Sequence, residues 1–228
     1  MAFCKFFIHL LDCFFIKITL ENISKRFRYE WIFRDVNYVF ETGQKYAILG
    51  ANGSGKSTLL QILSGILSPT KGKIFYESND NQSITIEEIY KHISWAAPSV
   101  SLIDRLTLSE MLDFQSQFKA FLPNIKLEDA LRYTNLAHAK DKQLRYFSSG
   151  MKQRVKLVLA LLADTDIILL DEPTTNLDEE GCEWYEKMVL QFAKNRLLII
   201  ASNQKHEYHF CDKKLFIKDF AHKKQKKK

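Results

Sequence analysis

A glycine-rich run at positions 50–58 carries the most specific chemistry in the sequence, Gly-Ala-Asn-Gly-Ser-Gly-Lys-Ser-Thr. The apolar residues 46–49 precede it and the apolar-rich residues 59–63 follow it, which is the pattern of a strand, a turn and a helix. Glycines permit positive φ angles, so successive backbone N–H groups can converge on phosphate oxygens beside a helix N-terminus. The run is therefore predicted to bind a nucleoside triphosphate.

The pattern gives its members separate roles. Lys56 supplies a cation for the β- and γ-phosphates, and the hydroxyl of Ser57 can ligate Mg²⁺. A coincidental Gly/Ser turn is the alternative, and the flanking strand and helix patterns argue against it. The residues predicted to bind the nucleotide in this run are Gly50, Asn52, Gly53, Ser54, Gly55, Lys56, Ser57 and Thr58.

Two adjacent carboxylates form the second chemical feature. Asp171 and Glu172 follow the apolar residues 167–170. A buried parallel strand delivers its terminal acid to the carboxyl edge of the sheet, where open α/β folds bind ligands. Asp171 is therefore predicted to reach the Mg²⁺ shell and Glu172 to polarise the attacking water as general base, while an acidic strand end without chemistry is the alternative.

A third feature is the small-residue run at residues 147–151, which precedes a long helical pattern. Ser148 and Gly150 at a helix N-terminus would form a second anion-binding surface that has no lysine of its own. A simple helix cap is the alternative interpretation.

The elements that must position these residues follow from hydrophobic periodicity. Strands alternate with helices along most of the chain, which favours an α/β fold with a mostly parallel sheet covered on both faces. Strand patterns before the glycine-rich run predict an antiparallel β edge or small sheet, and a helical subdomain is expected at about residues 98–147. The strongest predicted elements are strands at 17–23, 36–40, 73–77, 92–95, 166–170, 197–201 and 214–217, and helices at 108–118, 127–134 and 179–192.

Charge is unevenly distributed along the 228 residues. The net charge is +6, and five lysines in residues 222–228 supply most of it, so the rest of the chain is close to neutral. The body therefore has no charge pattern typical of nucleic-acid binding, and no nucleic acid is expected as a partner. The basic tail is interpreted either as a disordered solubilising end or as a segment attracted to anionic lipid headgroups.

The N-terminal region and the cysteines exclude some classes of protein. Residues 1–16 are rich in Phe, Ile and Leu but contain three interrupting polar residues, and they are shorter than the ~20 residues of a membrane span. They are interpreted as an extension without structural role, a packed or interfacial amphipathic helix, or a targeting segment. The scattered cysteines predict neither a zinc site nor a disulfide framework; they are Cys4, Cys13, Cys182 and Cys211.

In their order and over residues 17–217, these motifs resemble the ATP-binding subunits of ATP-binding-cassette (ABC) transporters. Residues 50–58 match the Walker A loop, residues 167–172 the Walker B strand with its catalytic glutamate, and residues 175–178 the D-loop. Residues 147–151 match the family signature LSGGQ at Ser148 and Gly150 and depart from it at the other three positions.

The resemblance implies a P-loop NTPase core in a single domain, residues 17–221, with ATP and Mg²⁺ as ligands. It further implies a head-to-tail homodimer in which Ser148 and Gly150 of one copy face the γ-phosphate held by the other. Such a dimer would drive an integral membrane transporter subunit from the cytoplasmic face of the cell membrane. The alternative is a soluble ABC-type ATPase switch acting on ribosomes or DNA, whose members usually join two cassettes in one chain.

Three positions extend or depart from the family pattern. Phe27 or Tyr29 falls where the family places an aromatic ring against adenine. The family's Q-loop glutamine should fall near residues 95–98, which are Trp-Ala-Ala-Pro. Asn203 stands where a switch histidine is expected, and His206 follows as an expected surface residue. An asparagine can hydrogen-bond a γ-phosphate but carries no titratable proton, so either slow hydrolysis or an altered switch is expected with Asn203 in this catalytic position.

Overall fold

The computed structural model of the protein describes residues 15–79 and 82–221. Within them the strands are β1 (Lys17–Phe27), β2 (Glu30–Glu41), β3 (Lys45–Leu49), β4 (Lys71–Glu77), β5 (Ser83–Ile84), β6 (Ile93–Ala96), β7 (Ile167–Asp171), β8 (Leu197–Ser202) and β9 (Lys213–Phe216). The α-helices are α1 (Lys56–Leu63), α2 (Leu108–Phe118), α3 (Leu127–Tyr133), α4 (Ser149–Leu162), α5 (Glu179–Phe192) and α6 (Lys205–Tyr208).

A five-stranded parallel sheet forms the centre of the fold, with strand order β6-β7-β8-β3-β9. Successive residues of a strand point to opposite faces, so an apolar strand can supply two cores at once. In β7, Ile167 and Leu169 pack into one buried cluster, whereas Ile168 and Leu170 pack into another. The predicted α/β fold with a sheet covered on both faces is therefore confirmed.

Of the three strands that precede the glycine-rich loop, only β3 belongs to the parallel sheet. Strands β1 and β2 join β4 and β5 in a separate antiparallel sheet of order β2-β1-β4-β5. This sheet and α1 cover one face of the parallel sheet, since Ile18 and Phe40 share a buried cluster with Leu60 and Ile48. Strand β2 begins six residues before the predicted start because Trp31 pairs with Arg26 across the hairpin. Cross-strand pairing, which no local pattern displays, extends the strand.

The helical segment, residues 98–147 with helices α2 and α3, packs on the opposite face of the parallel sheet. Helix α2 has the predicted bounds and the predicted capping box, in which the Thr107 hydroxyl accepts from the Glu110 N–H and the Glu110 carboxylate accepts from the Thr107 N–H. Leu108 and Leu112 of this helix lie in the same buried cluster as Leu170 of β7. The helical segment therefore shares a core with the strand that ends in Asp171.

The described part of the N-terminal region is packed against the domain. Ile16 is fully buried, and its N–H and carbonyl both bond to Thr42. The packed domain thus includes at least one residue before the boundary expected at residue 17. Residues 1–14, with Cys4 and Cys13, and the basic tail 222–228 lie outside the described residues. In the described ranges, no helix combines the length and apolarity that a membrane span requires.

Candidate nucleotide-binding site

Strand register brings the chemical residues together at the carboxyl edge of the parallel sheet. Leu49 is paired with Ser202 in the β3–β8 ladder, and Asp171 is paired with Ala201 in the β7–β8 ladder. The residues that follow these three strands therefore leave the sheet side by side, although they are far apart in the sequence. This is the edge at which parallel α/β sheets bind ligands.

The glycine-rich loop wraps the N-terminus of α1. Gly53 and Gly55 have φ angles of 76° and 104°, which an L-residue rarely adopts. A Cβ atom at Gly55 would lie 2.4 Å from the Ile32 side chain, so glycine is also required by close packing. The buried Lys56 ammonium donates to the carbonyl oxygens of Gly50 at 2.9 Å and Ala51 at 3.2 Å. These bonds hold the cation at the centre of the loop.

The two carboxylates after β7 have different surroundings. Asp171 is buried, and burial raises the pKa of its carboxyl, with a hydrogen bond from Ser57 acting in the opposite direction. Its Oδ1 atom is buried without a hydrogen-bond partner. A carboxylate and a hydroxyl together are oxygen ligands of the kind that Mg²⁺ prefers, so these residues fit the ion. Glu172 lies at the edge of the cleft with its side chain 32% exposed, 3.9 Å from the Lys56 ammonium.

A cleft of about 350 Å³ lies over the loop. Its lining residues are Ile32, Asn52, Gly53, Gly55, Lys56, Ser57, Thr58 and Glu172. Asn203 borders this group, because its side-chain amide donates to the Asn52 side-chain oxygen at 2.8 Å. The fold therefore brings the glycine-rich loop, both carboxylates and Asn203 into one site.

The other predicted residues lie elsewhere in the described structure. Phe27 is 47% exposed with the Lys25 ammonium 5.1 Å from its ring centre, and Tyr29 is 95% exposed. Neither of them, nor Ser148 or Gly150, is among the described residues that line the cleft. A single copy of the chain thus separates the phosphate loop from the small-residue run at 147–151.

That small-residue run caps helix α4 and packs on the segment after Glu172. The Ser148 hydroxyl accepts a hydrogen bond from the Met151 N–H at 3.2 Å. A Cβ atom at Gly150 would lie 2.6 Å from the carbonyl oxygen of Asn176, which has a φ of 67°. Gln153, one turn further along α4, donates to the Pro173 carbonyl at 2.8 Å. The start of α4 and the turn after β7 are therefore in direct contact.

The loop that lacks the family's glutamine and the surface residue His206 have definite positions. The carbonyl oxygens of Ala97 and Pro98 accept from the Lys156 ammonium at 3.2 and 3.3 Å, so this loop is bound to α4. Burial, with the nearby Lys152 ammonium, lowers the pKa of Lys156. His206 is exposed and its Nε2 atom lies 2.9 Å from the Thr174 hydroxyl.

Sequence reasoning did not identify three residues that shape the site. Ile32 packs against Gly55, Gln153 bonds to Pro173, and the buried Glu207 accepts hydrogen bonds from Thr174. The position of Ile32 depends on the pairing of β2, which its own sequence does not predict. Glu207 had one signal, its position six residues after the apolar run 197–201, but that signal does not identify its partners.

Comparisons with known proteins agree with the geometry. The sequence model of the family described as ABC transporter matches residues 33–175. An uncharacterised ABC transporter ATP-binding protein of Bacillus subtilis, YybJ, is 31% identical over 203 residues, which cover 86% of this chain and 89% of the relative. Two longer curated relatives are matched over 40% of their length.

Solved structures show the same fold. A putative ABC transporter ATP-binding protein from Pyrococcus furiosus superposes with a TM-score of 0.75 at 22% identity, over 90% of this chain and 100% of that one. A dimeric bacterial cassette, in a post-hydrolysis state with ADP and phosphate, superposes with a TM-score of 0.74 at 23% identity, over 87% of this chain and 93% of that one.

Proposed function

This chain belongs to the ABC transporter family of ATP-binding proteins, and from that premise we propose that it binds and hydrolyses ATP to drive a separate membrane subunit. The observation that carries the proposal is the meeting of one cation and one carboxylate in the cleft, with a second, buried carboxylate beside the cleft residue Ser57. The Lys56 ammonium lies 3.9 Å from the Glu172 carboxylate, and the Asp171 carboxylate accepts a hydrogen bond from Ser57. A phosphate chain, its counter-ion and a water-activating base are the groups that this set can hold.

In the proposed reaction, the loop N–H groups and Lys56 hold the β- and γ-phosphates. Glu172 orients a water molecule and accepts its proton while the water oxygen attacks the γ-phosphorus. The bond from that phosphorus to the β–γ bridging oxygen breaks, and the products are ADP and inorganic phosphate. Asn203 donates a hydrogen bond to the γ-phosphate. Ser57 and Asp171 would hold Mg²⁺, which offsets the phosphate charge when bound.

The proposed working unit is a pair of chains. Ser148 and Gly150 lie apart from the cleft of their own chain, and a helix N-terminus without a lysine can face phosphate only where other groups balance the charge. In a head-to-tail dimer, this surface would complete the site of the second copy. The related bacterial cassette that is described as dimeric supports the arrangement by its fold.

The proposed partner is an integral membrane subunit, bound from the cytoplasmic side. Because α2 shares a core with β7, a change at Asp171 is transmitted to the helical segment, which is the proposed contact for that subunit.

For the adenine, we propose stacking on Phe27 or Tyr29 at the exposed hairpin between β1 and β2. The loop at Ala97 and Pro98 has no glutamine, so metal contact from this position is left out of the proposal.

The test is the MgATP affinity and phosphate release of the wild type and of Glu172→Gln. We expect the wild type to bind and hydrolyse MgATP. In Glu172→Gln, kcat should fall by about 10²–10⁴-fold, because the amide cannot take the proton of water. The MgATP affinity of this variant should change little. Glu179→Gln, an exposed acid at the start of α5, is the matched control and should keep the wild-type rate. Normal turnover in Glu172→Gln would refute the assignment of the general base.

A further inference from the structure

Glu207 of helix α6 is fully buried, with 0% of its surface exposed. Its Oε1 atom accepts from the Thr174 N–H at 2.8 Å and from the Thr174 hydroxyl at 2.5 Å, while Oε2 accepts from the Ser202 hydroxyl. No ion pair of the described residues includes it. A buried carboxyl that depends on so few donors fixes those donors in place, because losing one leaves it unsatisfied.

These donors come from the two segments that supply the catalytic groups. Thr174 lies two residues after Glu172, and Ser202 lies immediately before Asn203. One side chain therefore joins the turn of the general base to the segment of the proposed γ-phosphate ligand. The Glu172 N–H donates to the Ala201 carbonyl at 2.9 Å, which holds the same two segments by their backbones.

The opposite side of that turn is held by helix α4. Gln153 donates to the Pro173 carbonyl at 2.8 Å, and Gly150 packs on the Asn176 carbonyl oxygen. The turn thus lies between the Glu207 carboxyl and the helix that carries Ser148 and Gly150. Glu172 itself has a φ of 44°, a strained conformation that persists only where surrounding contacts hold it.

We infer that Glu207 is a positioning residue, which sets the distance of Glu172 from Asn203 and from the phosphate loop. The inference rests on the proposed function and adds a residue to it. Glu207 touches neither nucleotide nor water in this role. Because misplacement of a catalytic group by about 1 Å can cost about 10²-fold in rate, loss of this contact should lower kcat. It should leave nucleotide affinity intact, since Lys56 and the loop are held by other bonds.

The experiment compares Glu207→Leu with Glu207→Gln in the full chain. Glutamine can accept both Thr174 bonds through its carbonyl and donate to the Ser202 hydroxyl, which can then donate to the Gln204 carbonyl 3.3 Å away. We expect Glu207→Leu to lose about tenfold or more in kcat with an unchanged dissociation constant for MgATP, and Glu207→Gln to recover most of the rate. Equal rates in Glu207→Leu and wild type would overturn the inference. So would a loss of affinity as large as the loss of rate.

Thr174→Val keeps the test decisive if Glu207→Leu does not fold. It removes the hydroxyl donor, preserves the side-chain volume and retains the Thr174 N–H bond, so a smaller fall in kcat is expected. An unchanged kcat in Thr174→Val would then overturn the inference. The wild-type measurements separate the two proposals: a wild type that neither binds nor hydrolyses MgATP refutes the proposed function, whereas an active wild type with an equally active Glu207→Leu refutes the positioning role alone.

Discussion

At the scale of single residues, two adjacent carboxylates differ because the backbone changes direction between them. Asp171 ends β7 in its strand conformation and is buried beside Ser57. Glu172 has a φ of 44° and presents a side chain that is 32% exposed to the cleft. Burial suits a group that holds a cation, and partial exposure suits a group that must reach water. One backbone turn therefore supports two different proposed roles.

Asn203 is the residue where a substitution should raise activity. Asn203→His is expected to increase the hydrolysis rate by about tenfold or more, because imidazole keeps a hydrogen-bond donor at this position and adds a group that can transfer a proton. The present amide lies 2.8 Å from the Asn52 side chain, so the position is next to the phosphate loop. Phosphate release at saturating MgATP is the measurement.

The neighbouring variant Gln204→His is the control for Asn203→His. It adds the same ring one residue further from the loop and should not raise the rate. A rate for Asn203→His at or below the wild-type value would mean that the rest of the site is tuned to asparagine.

At the scale of elements, the contact between α4 and the turn after β7 joins the small-residue run at 147–151 to the segment that follows Glu172. Gly150, Gln153 and Arg154 of α4 all contact that turn or the start of α5, since the Arg154 guanidinium lies 3.8 Å from Asp178. Arg154 also lies over the Trp184 ring at 4.9 Å. The start of α4 is therefore held against the turn that follows Glu172 by several direct contacts.

Gly150→Ala tests this contact. Alanine is favoured over glycine in a helix by about 1 kcal/mol, but here its Cβ atom would lie 2.6 Å from the Asn176 carbonyl oxygen. Such overpacking costs about 1–3 kcal/mol, so the clash should outweigh the helix preference. We expect a fall in turnover and a urea midpoint that is not raised.

Ser149→Ala is the matched control for this substitution. It lies in the same first turn of α4 with an exposed side chain, so it should change neither turnover nor stability by much. A Gly150→Ala variant that is more stable and equally active would show that the turn has room to move.

At the scale of the whole molecule, a central parallel sheet carries two buried clusters and places the cleft over the glycine-rich loop at its carboxyl edge. The start of α4 lies outside that cleft, so the proposed site becomes complete only with a second chain. The helical segment shares its core with β7, which links the cleft to the proposed contact with a membrane subunit.

MgATP should therefore control the association of the chains. Glu172→Gln is expected to sediment as a dimer with MgATP and as a monomer without it, because unhydrolysed nucleotide would bridge the two copies. The double variant Lys56→Ala, Glu172→Gln should remain monomeric, since it lacks the cation that holds the phosphates. Sedimentation velocity distinguishes the species. A nucleotide-dependent dimer in the double variant would contradict the proposed position of ATP.

Elements with local signals were predicted closely from the sequence. Helix α2 has a capping box in its own residues, and α5 spans the predicted residues 179–192. The apolar β7 and β8 were within one residue of their predicted bounds. Strand β2 was predicted too short, because its first half is defined by pairing with β1. Charged residues in that half obscure the alternation of apolar and polar residues that marks a strand.

The sequence by itself determined the proposed chemistry of the glycine-rich loop, because the glycines, Lys56 and Ser57 that would act together are contiguous in the chain. It also indicated that acids follow the strand at residues 167–170, since apolar runs mark buried strands. Only the tertiary structure decided that Asn203 lies beside Asn52 and that Glu207 reaches Thr174. Those contacts depend on the order and register of parallel strands, which bring together residues with no local relation along the chain.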